Sequence, residues 1–155
     1  MIDLNDAQRD QLSNLMSSGR LREAPQDRQR ATIFLLHARE GLDAAAQIST
    51  PHVAFDVAYN AAHDSGEALM AALGLRPGRG DGAHATIGYV LDIMAADTPF
   101  TRSARAYDAV RQTRNRVRYD AGHIGSAQAT HAREVAADLV AFVSQVLESS
   151  DGGGA

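Results

Sequence analysis

The sequence predicts an all-α fold, an up-and-down bundle of four to five main helices preceded by a short N-terminal helix. Apolar residues make up 45% of the chain, much of it alanine, and only 5% of the residues are aromatic. Alanine-rich apolar faces suit closely packed helices better than a sandwich or a barrel. Apolar residues also recur every three or four positions, as on a helix with one buried face. No segment has the alternation of a convincing strand.

Five or six helical segments follow from this spacing and from the glycines and prolines between them. The second shows the clearest apolar face, in which residues 31, 35, 38, 42 and 45 step by four and three. The third is well delimited, because Ser49 or Thr50 can cap it, Pro51 suits its first turn and Gly74 ends it. Residues 75–84 are rich in glycine and proline and are predicted to form a loop. The helices are predicted at about 6–18, from about 27, at 51–73, 84–96, 102–121 and 126–147.

Length and composition limit the classes of function. The 155 residues fit one domain, predicted over residues 1–148, with a disordered tail at 149–155. The chain has no cysteine, and its histidines lack metal-ligand spacing, so we expect neither a metal nor another cofactor. No signal peptide or membrane-spanning run is present in the sequence, which predicts a cytoplasmic protein. The net charge of −4 leaves only a local patch for contact with nucleic acid.

The fifth helical segment carries one basic residue in an unexpected position. Tyr107, Val110, Arg114, Val117 and Ala121 step by three and four, which places Arg114 on the apolar face. Burying a guanidinium without partners is costly. Two interpretations remain open: the side chain reaches the bundle edge or pairs with an inward-facing acid such as Asp64 or Glu67, or it belongs to a polar site in a groove or dimer interface.

Most of the chain resembles the HEPN superfamily, small all-α and usually dimeric bundles of prokaryotic conflict systems. The segments "MSSGRLREAP", "AFDVAYNAAHDSGEALMAALGLRPGRGDGAHATIGYV" and "YDAVRQTRNRVRYDAGH" carry the resemblance by their order and spacing. In that family an arginine, a polar residue and then a histidine or tyrosine mark the active-site helix. The resemblance matches Arg114 and Asn115 to the start of this motif. Tyr119 completes its tyrosine variant, which we favour, and His123 completes the histidine form counted from a later arginine.

Further residues could line a path for RNA. His84 matches a recurrent histidine of the family, although a helix cap or a packed ring is the other interpretation. Arg79 lies in the glycine-rich loop, and Arg111 and Arg118 flank Arg114, where they could equally be solvated charges. His63, in the third helix, is interpreted as a packed or surface histidine.

The resemblance implies a metal-independent endoribonuclease acting on single-stranded RNA. Histidine suits its proton transfers, and arginine suits its phosphate. A phenol at the end of the motif makes proton transfer at neutral pH harder, so the alternative is a non-catalytic module that binds a protein partner or a nucleotide. The resemblance also implies a homodimer in a bacterial toxin–antitoxin or defence setting, with an antitoxin or a nucleotidyltransferase as partner.

Overall fold

The computed structural model describes residues 1–80 and 82–153, and this part of the chain confirms the all-α class. It contains six helices and one pair of three-residue strands. Five helices of 13 to 27 residues follow the shorter first helix. In chain order the elements are α1 (Asp6–Ser17), β1 (Leu21–Glu23), α2 (Arg28–Gln47), α3 (Pro51–Leu73), β2 (Leu75–Pro77), α4 (Ala83–Ala95), α5 (Thr101–Asp120) and α6 (Ser126–Gly152).

The helix ends have local causes in the sequence. Asn5 and Gln8 form a reciprocal capping box at α1, with 2.8 Å from the Gln8 amide to the Asn5 side chain. Asp27 caps α2 by accepting the backbone N–H of Arg30 at 2.9 Å. Pro51 occupies the first turn of α3, and Gly74 ends that helix at a φ of 72°, as predicted.

Helix α3 lies at the centre of the bundle and contacts α2, α4, α5 and α6. Its buried face consists mainly of small residues, which allow helices to approach closely. Gly66 is the tightest point, because a side chain there would overlap Ile87 of α4. The predicted apolar faces of α2, α3, α4 and α6 are buried along most of their length; on α3 the buried small residues include Ala54, Ala58, Ala61, Ser65 and Ala68.

The loop predicted over residues 75–84 begins with a short strand in the structure. Residues 75–77 form β2, which pairs antiparallel with β1, and the backbone N–H of Gly78 donates to the Arg20 carbonyl at 2.7 Å. Three-residue strands are too short for alternation to identify them in a sequence. The pair joins the connection between α1 and α2 to the connection between α3 and α4.

Helix α6 is longer than the sequence indicated. It was predicted to end near residue 147 and instead runs to Gly152, so the domain boundary placed at residue 148 lies inside a helix. Asp151 pairs with Arg28 of α2, and the Ser150 hydroxyl donates to the Leu147 carbonyl at 2.7 Å. The last two residues of the predicted tail lie outside the described residues.

No helix in the described ranges is both long enough and apolar enough to cross a lipid bilayer.

Candidate functional site

Arg114 points towards the interior of the bundle, where it meets an aromatic ring. Tyr107 and Val110, earlier on the same face of α5, are buried, and Arg114 continues that face while partly buried. Its guanidinium carbon lies 5.1 Å from the centre of the Tyr59 ring. Its Nε is buried and has no hydrogen-bond partner within the described residues, and neither predicted acid pairs with it there. A buried donor of this kind is stabilised by a ligand or by water.

Four rings from three helices contact one another beside this guanidinium, and the Tyr59 ring is the one against which it lies. The Tyr59 hydroxyl lies 2.6 Å from Nδ1 of His84, and the Tyr107 hydroxyl lies 3.2 Å from Nδ1 of His63. The two hydroxyl oxygens are 3.5 Å apart, which joins the two pairs. We call Tyr59 and His63 of α3, His84 of α4, and Tyr107 and Arg114 of α5 the Tyr–His cluster.

The two histidines of the cluster are stacked, and their surroundings lower the pKa of both rings. Their ring centres are 4.1 Å apart and their planes differ by 23°. Burial, together with the charges of His84 and Arg114, lowers the pKa of His63 to about 4. Burial and the charges of Arg114 and Arg111 also lower the pKa of His84 below its usual value. The surroundings therefore favour the neutral form of both rings, the form that can accept a proton.

Each ring nitrogen of the cluster has a definite environment. His63 has a hydrogen-bond partner at Nδ1, the Tyr107 hydroxyl, while its Nε2 lies 3.6 Å from the carboxylate of Glu67. In the described part of the chain His84 has a hydrogen-bond partner only at Nδ1, and the residue is exposed. Burial raises the pKa of both Tyr59 and Tyr107, so the phenols remain protonated. Nε2 of His84 is thus the ring nitrogen left for a ligand. It is a base in the tautomer that carries the proton on Nδ1. It is a hydrogen-bond donor in the other tautomer, in which Nδ1 accepts from the Tyr59 hydroxyl.

Two further charged residues border the cluster. Burial raises the pKa of Glu67, against the charges of Arg30 and Arg76. Arg111 Nε donates to Asp108 at 2.8 Å, one turn along α5 from Arg114. Although burial opposes it, the hydrogen bonds from Arg111 and Gln112 lower the pKa of Asp108. Arg111 is therefore positioned by a carboxylate while its charge still acts on His84.

The structure brings some of the predicted site residues together and separates others. Arg114, Arg111 and His84 meet at the cluster. Tyr119 is 84% exposed at the end of α5. His123 is exposed beyond that end, because Ala121 adopts a left-handed φ of 52° and stops the helix.

The remaining predicted residues lie around the cluster. Asn115 is partly buried on α5, next to Arg114 in sequence. Arg118 lies 3.6 Å from Asp56 of α3 in a surface ion pair. Arg79 is exposed in the connection that follows β2.

Sequence reasoning missed Tyr59 and underrated His63. Tyr59, His63 and Glu67 follow one another at four-residue intervals and so share one face of α3. That spacing of a phenol, an imidazole and a carboxylate was the available signal. His84 was recognised, but its partner on α3 was not.

Comparison with protein-family models, with curated proteins and with solved structures found no match for this chain. The HEPN resemblance therefore rests on the segments quoted above.

The cluster offers acid–base groups and a cation but no metal centre. No group of three or more histidine, aspartate or glutamate side chains suited to a metal ion occurs within residues 1–80 and 82–153. A guanidinium with an unpartnered donor favours an anion, and an adjacent neutral imidazole favours proton transfer on the same ligand.

Proposed function

We propose that the protein binds single-stranded RNA at the Tyr–His cluster and cleaves it without a metal ion. The observation that carries this proposal is the buried, unpartnered Nε of Arg114 beside two histidines that are neutral at pH 7. A phosphodiester supplies the anion for the arginine, and the neighbouring ribose supplies a hydroxyl for the imidazole.

Arg114 and His84 have separate roles in this reaction. The guanidinium binds non-bridging phosphate oxygens and stabilises the charge that develops on the phosphorane. Nε2 of His84 takes the proton of the ribose 2′-hydroxyl, with Tyr59 holding the ring at Nδ1. His63 and Tyr107 position Tyr59 from behind and do not contact the substrate.

The bonds and protons balance without a further reactant. The 2′-oxygen attacks phosphorus, a new P–O2′ bond forms and the P–O5′ bond breaks. The leaving 5′-oxygen receives the proton from the imidazolium of His84 that formed in the first step. The products are a 2′,3′-cyclic phosphate and a 5′-hydroxyl.

The biological setting proposed here follows from the family resemblance. It implies a homodimer in a cytoplasmic toxin–antitoxin or defence system, with an antitoxin or nucleotidyltransferase as partner. In such a dimer the Tyr–His clusters of the two copies could act on one RNA, provided that they face the same cleft.

Cleavage of a labelled single-stranded RNA in excess EDTA tests the proposal. We expect the wild type to cut and to leave a 2′,3′-cyclic phosphate. His84→Gln should lower kcat/KM by about 10²–10⁴, the usual contribution of an acid–base group. Arg114→Gln should lower it by roughly 10²–10³, the usual contribution of one charge-stabilising donor.

Matched controls separate chemistry from folding and charge. Arg116→Gln removes one arginine from the exposed side of α5 and should leave kcat/KM nearly unchanged. Circular dichroism confirms that each variant retains its helices. A wild type that neither binds nor cuts RNA, or a His84→Gln variant as active as the wild type, would contradict the proposal.

One observation favours the second candidate function, a non-catalytic module that binds a protein. Helix α2 leaves Ile33 46% exposed and Leu36 51% exposed, which suits a surface covered by another chain. A complex with a protein partner through this surface should dissociate in Leu36→Glu, as measured by sedimentation velocity. A complex that Leu36→Glu leaves intact would remove this support.

A further inference from the structure

Three arginines line a small cavity beside the Tyr–His cluster. The cavity has a volume of about 160 Å³ and lies between the strand pair, the start of α2 and the side of α3. Its charged lining consists of three arginines, Arg22, Arg30 and Arg76, and two acids, Asp27 and Glu67. We call it the arginine pocket.

Two of these arginines face each other across the strand pair. Arg22 of β1 and Arg76 of β2 are direct partners in the antiparallel register. Like charges placed directly opposite each other destabilise a strand pair. An anion bound between the two guanidinium groups would attract both and offset their mutual repulsion. Anion binding therefore accounts for two arginines at directly opposite positions.

The acids of the pocket leave its arginines available. None of the three arginines forms an ion pair with a carboxylate in the described part of the chain. Asp27 caps α2 through the Arg30 backbone N–H, and Glu67 lies closer to His63. The Arg30 guanidinium carbon lies 4.8 Å from the centre of the Phe34 ring, and Arg22 Nε donates to the Pro77 carbonyl at 3.3 Å. These contacts hold the two guanidinium groups in place and use one donor of Arg22, Nε.

Glu67 joins the arginine pocket to the Tyr–His cluster. It lines the pocket, and its carboxylate oxygen lies 3.6 Å from Nε2 of His63. An anion in the pocket would therefore lie beside the His63–Glu67 pair, whose histidine belongs to the Tyr–His cluster.

We infer that the arginine pocket binds a phosphate group, and that in an RNA bound at the Tyr–His cluster this group is a neighbouring backbone phosphate. The second half of the inference rests on the proposed function. The shared chemistry is a phosphate group, which an RNA backbone or free pyrophosphate can supply. The pocket would set affinity for longer RNA and leave the chemical step to His84.

The first experiment tests the pocket without RNA. Pyrophosphate is titrated into the full-length protein and into Arg114→Gln, and amide NMR shifts are followed. We expect saturable shifts at residues 22, 30 and 76 in both proteins, and their loss in Arg22→Gln/Arg76→Gln. Absence of these shifts in the wild type would overturn the inference, even if the protein cleaves RNA.

The second experiment identifies the RNA backbone as the source of the phosphate. Arg76→Gln should weaken binding of a single-stranded oligonucleotide about tenfold, and its slope of log K against log salt should fall by about 0.7, the value for one lost phosphate contact. Turnover of a dinucleoside monophosphate, which has one phosphate, should fall by much less than tenfold. Equal losses on both ligands would overturn the assignment to a neighbouring phosphate.

A matched control is Arg39→Gln, which removes the same charge from α2 next to Ser144 and Glu148. It should retain the oligonucleotide affinity and salt slope of the wild type. If the pyrophosphate shifts occur but the wild type binds no RNA, the proposed function fails together with the RNA half of the inference, and the phosphate site stands.

Discussion

Arg114 acts on both histidines of the site through its charge. It forms no ion pair with a described residue, yet it is among the causes that lower the pKa values of His63 and His84. For both histidines burial is the larger cause, and Arg114 adds to it. A cation beside an imidazole disfavours the imidazolium, so Arg114 adds to burial in favouring the neutral form of both rings.

Arg114→Gln should therefore raise the pKa values of both histidines, because it removes the charge and keeps a polar side chain. Titration of the histidine ring protons by NMR measures each pKa directly. Arg116→Gln, with the same charge change on the exposed side of α5, should leave both titrations as they are. Unchanged ring titrations in Arg114→Gln would contradict the electrostatic role.

The position of a single residue could be predicted where the helical period of its own segment was enough to place it on a face. Arg114 was identified because it interrupts a run of apolar residues on α5. Its partner Tyr59 was not, because the two lie 55 positions apart in sequence and meet only through the packing of α5 on α3. The completion of the motif by Tyr119 or His123 remains a prediction, and neither side chain meets Arg114 in this structure.

At the scale of elements, the site depends on the close packing of α4 against α3 and α5. Gly66 of α3 lies against Ile87, and Gly88 of α4 lies against the Tyr107 ring, where an added Cβ would be 3.0 Å from Cδ1. These glycines bring the helix that carries His84 close to the helices that carry Tyr59 and Tyr107.

Gly66→Ala should destabilise the protein by about 1–3 kcal/mol, the usual cost of forcing a larger group into a packed core. Chemical denaturation measures the change. Gly41→Ala is the matched control, since its Cβ would meet Ala61 at 3.4 Å and the Val57 carbonyl at 3.9 Å, both ordinary contacts. Replacing that helical glycine should stabilise α2 by about 0.5–1 kcal/mol. A Gly66→Ala variant as stable as the wild type would show that α3 and α4 can separate without cost.

Long elements were predicted well, and short or terminal ones were not. The helices α2 to α5 were located because each shows several turns of apolar spacing or a capping residue. The strand pair was missed because its order comes from pairing between distant connections. The end of α6 was predicted too early, because the residues after 147 are polar and show no apolar spacing. In the structure they continue the helix, and Asp151 pairs with Arg28 of α2.

At the scale of the whole molecule, the neutral histidine pair links folding to pH. The pKa of His63 is about 4 in the folded protein and 6.5 as the reference for the unfolded chain. Between these values the unfolded chain binds a proton that the folded protein does not, so stability falls as the pH falls from 6.5 towards 4. The difference in pKa corresponds to a loss on the order of 3 kcal/mol by pH 4.

His63→Gln should remove this part of the pH dependence while keeping a polar contact for Tyr107. The raised pKa values of Asp64 and Glu67 act in the opposite direction, since their folded forms hold protons more tightly. The wild type must therefore be compared with the variant at each pH, because the carboxyl contributions then largely cancel. Urea denaturation from pH 7 to pH 4 should show the wild type losing stability relative to His63→Gln. A difference in the free energy of unfolding that stays constant across this range would mean that His63 is protonated as readily in the folded protein as in the unfolded chain.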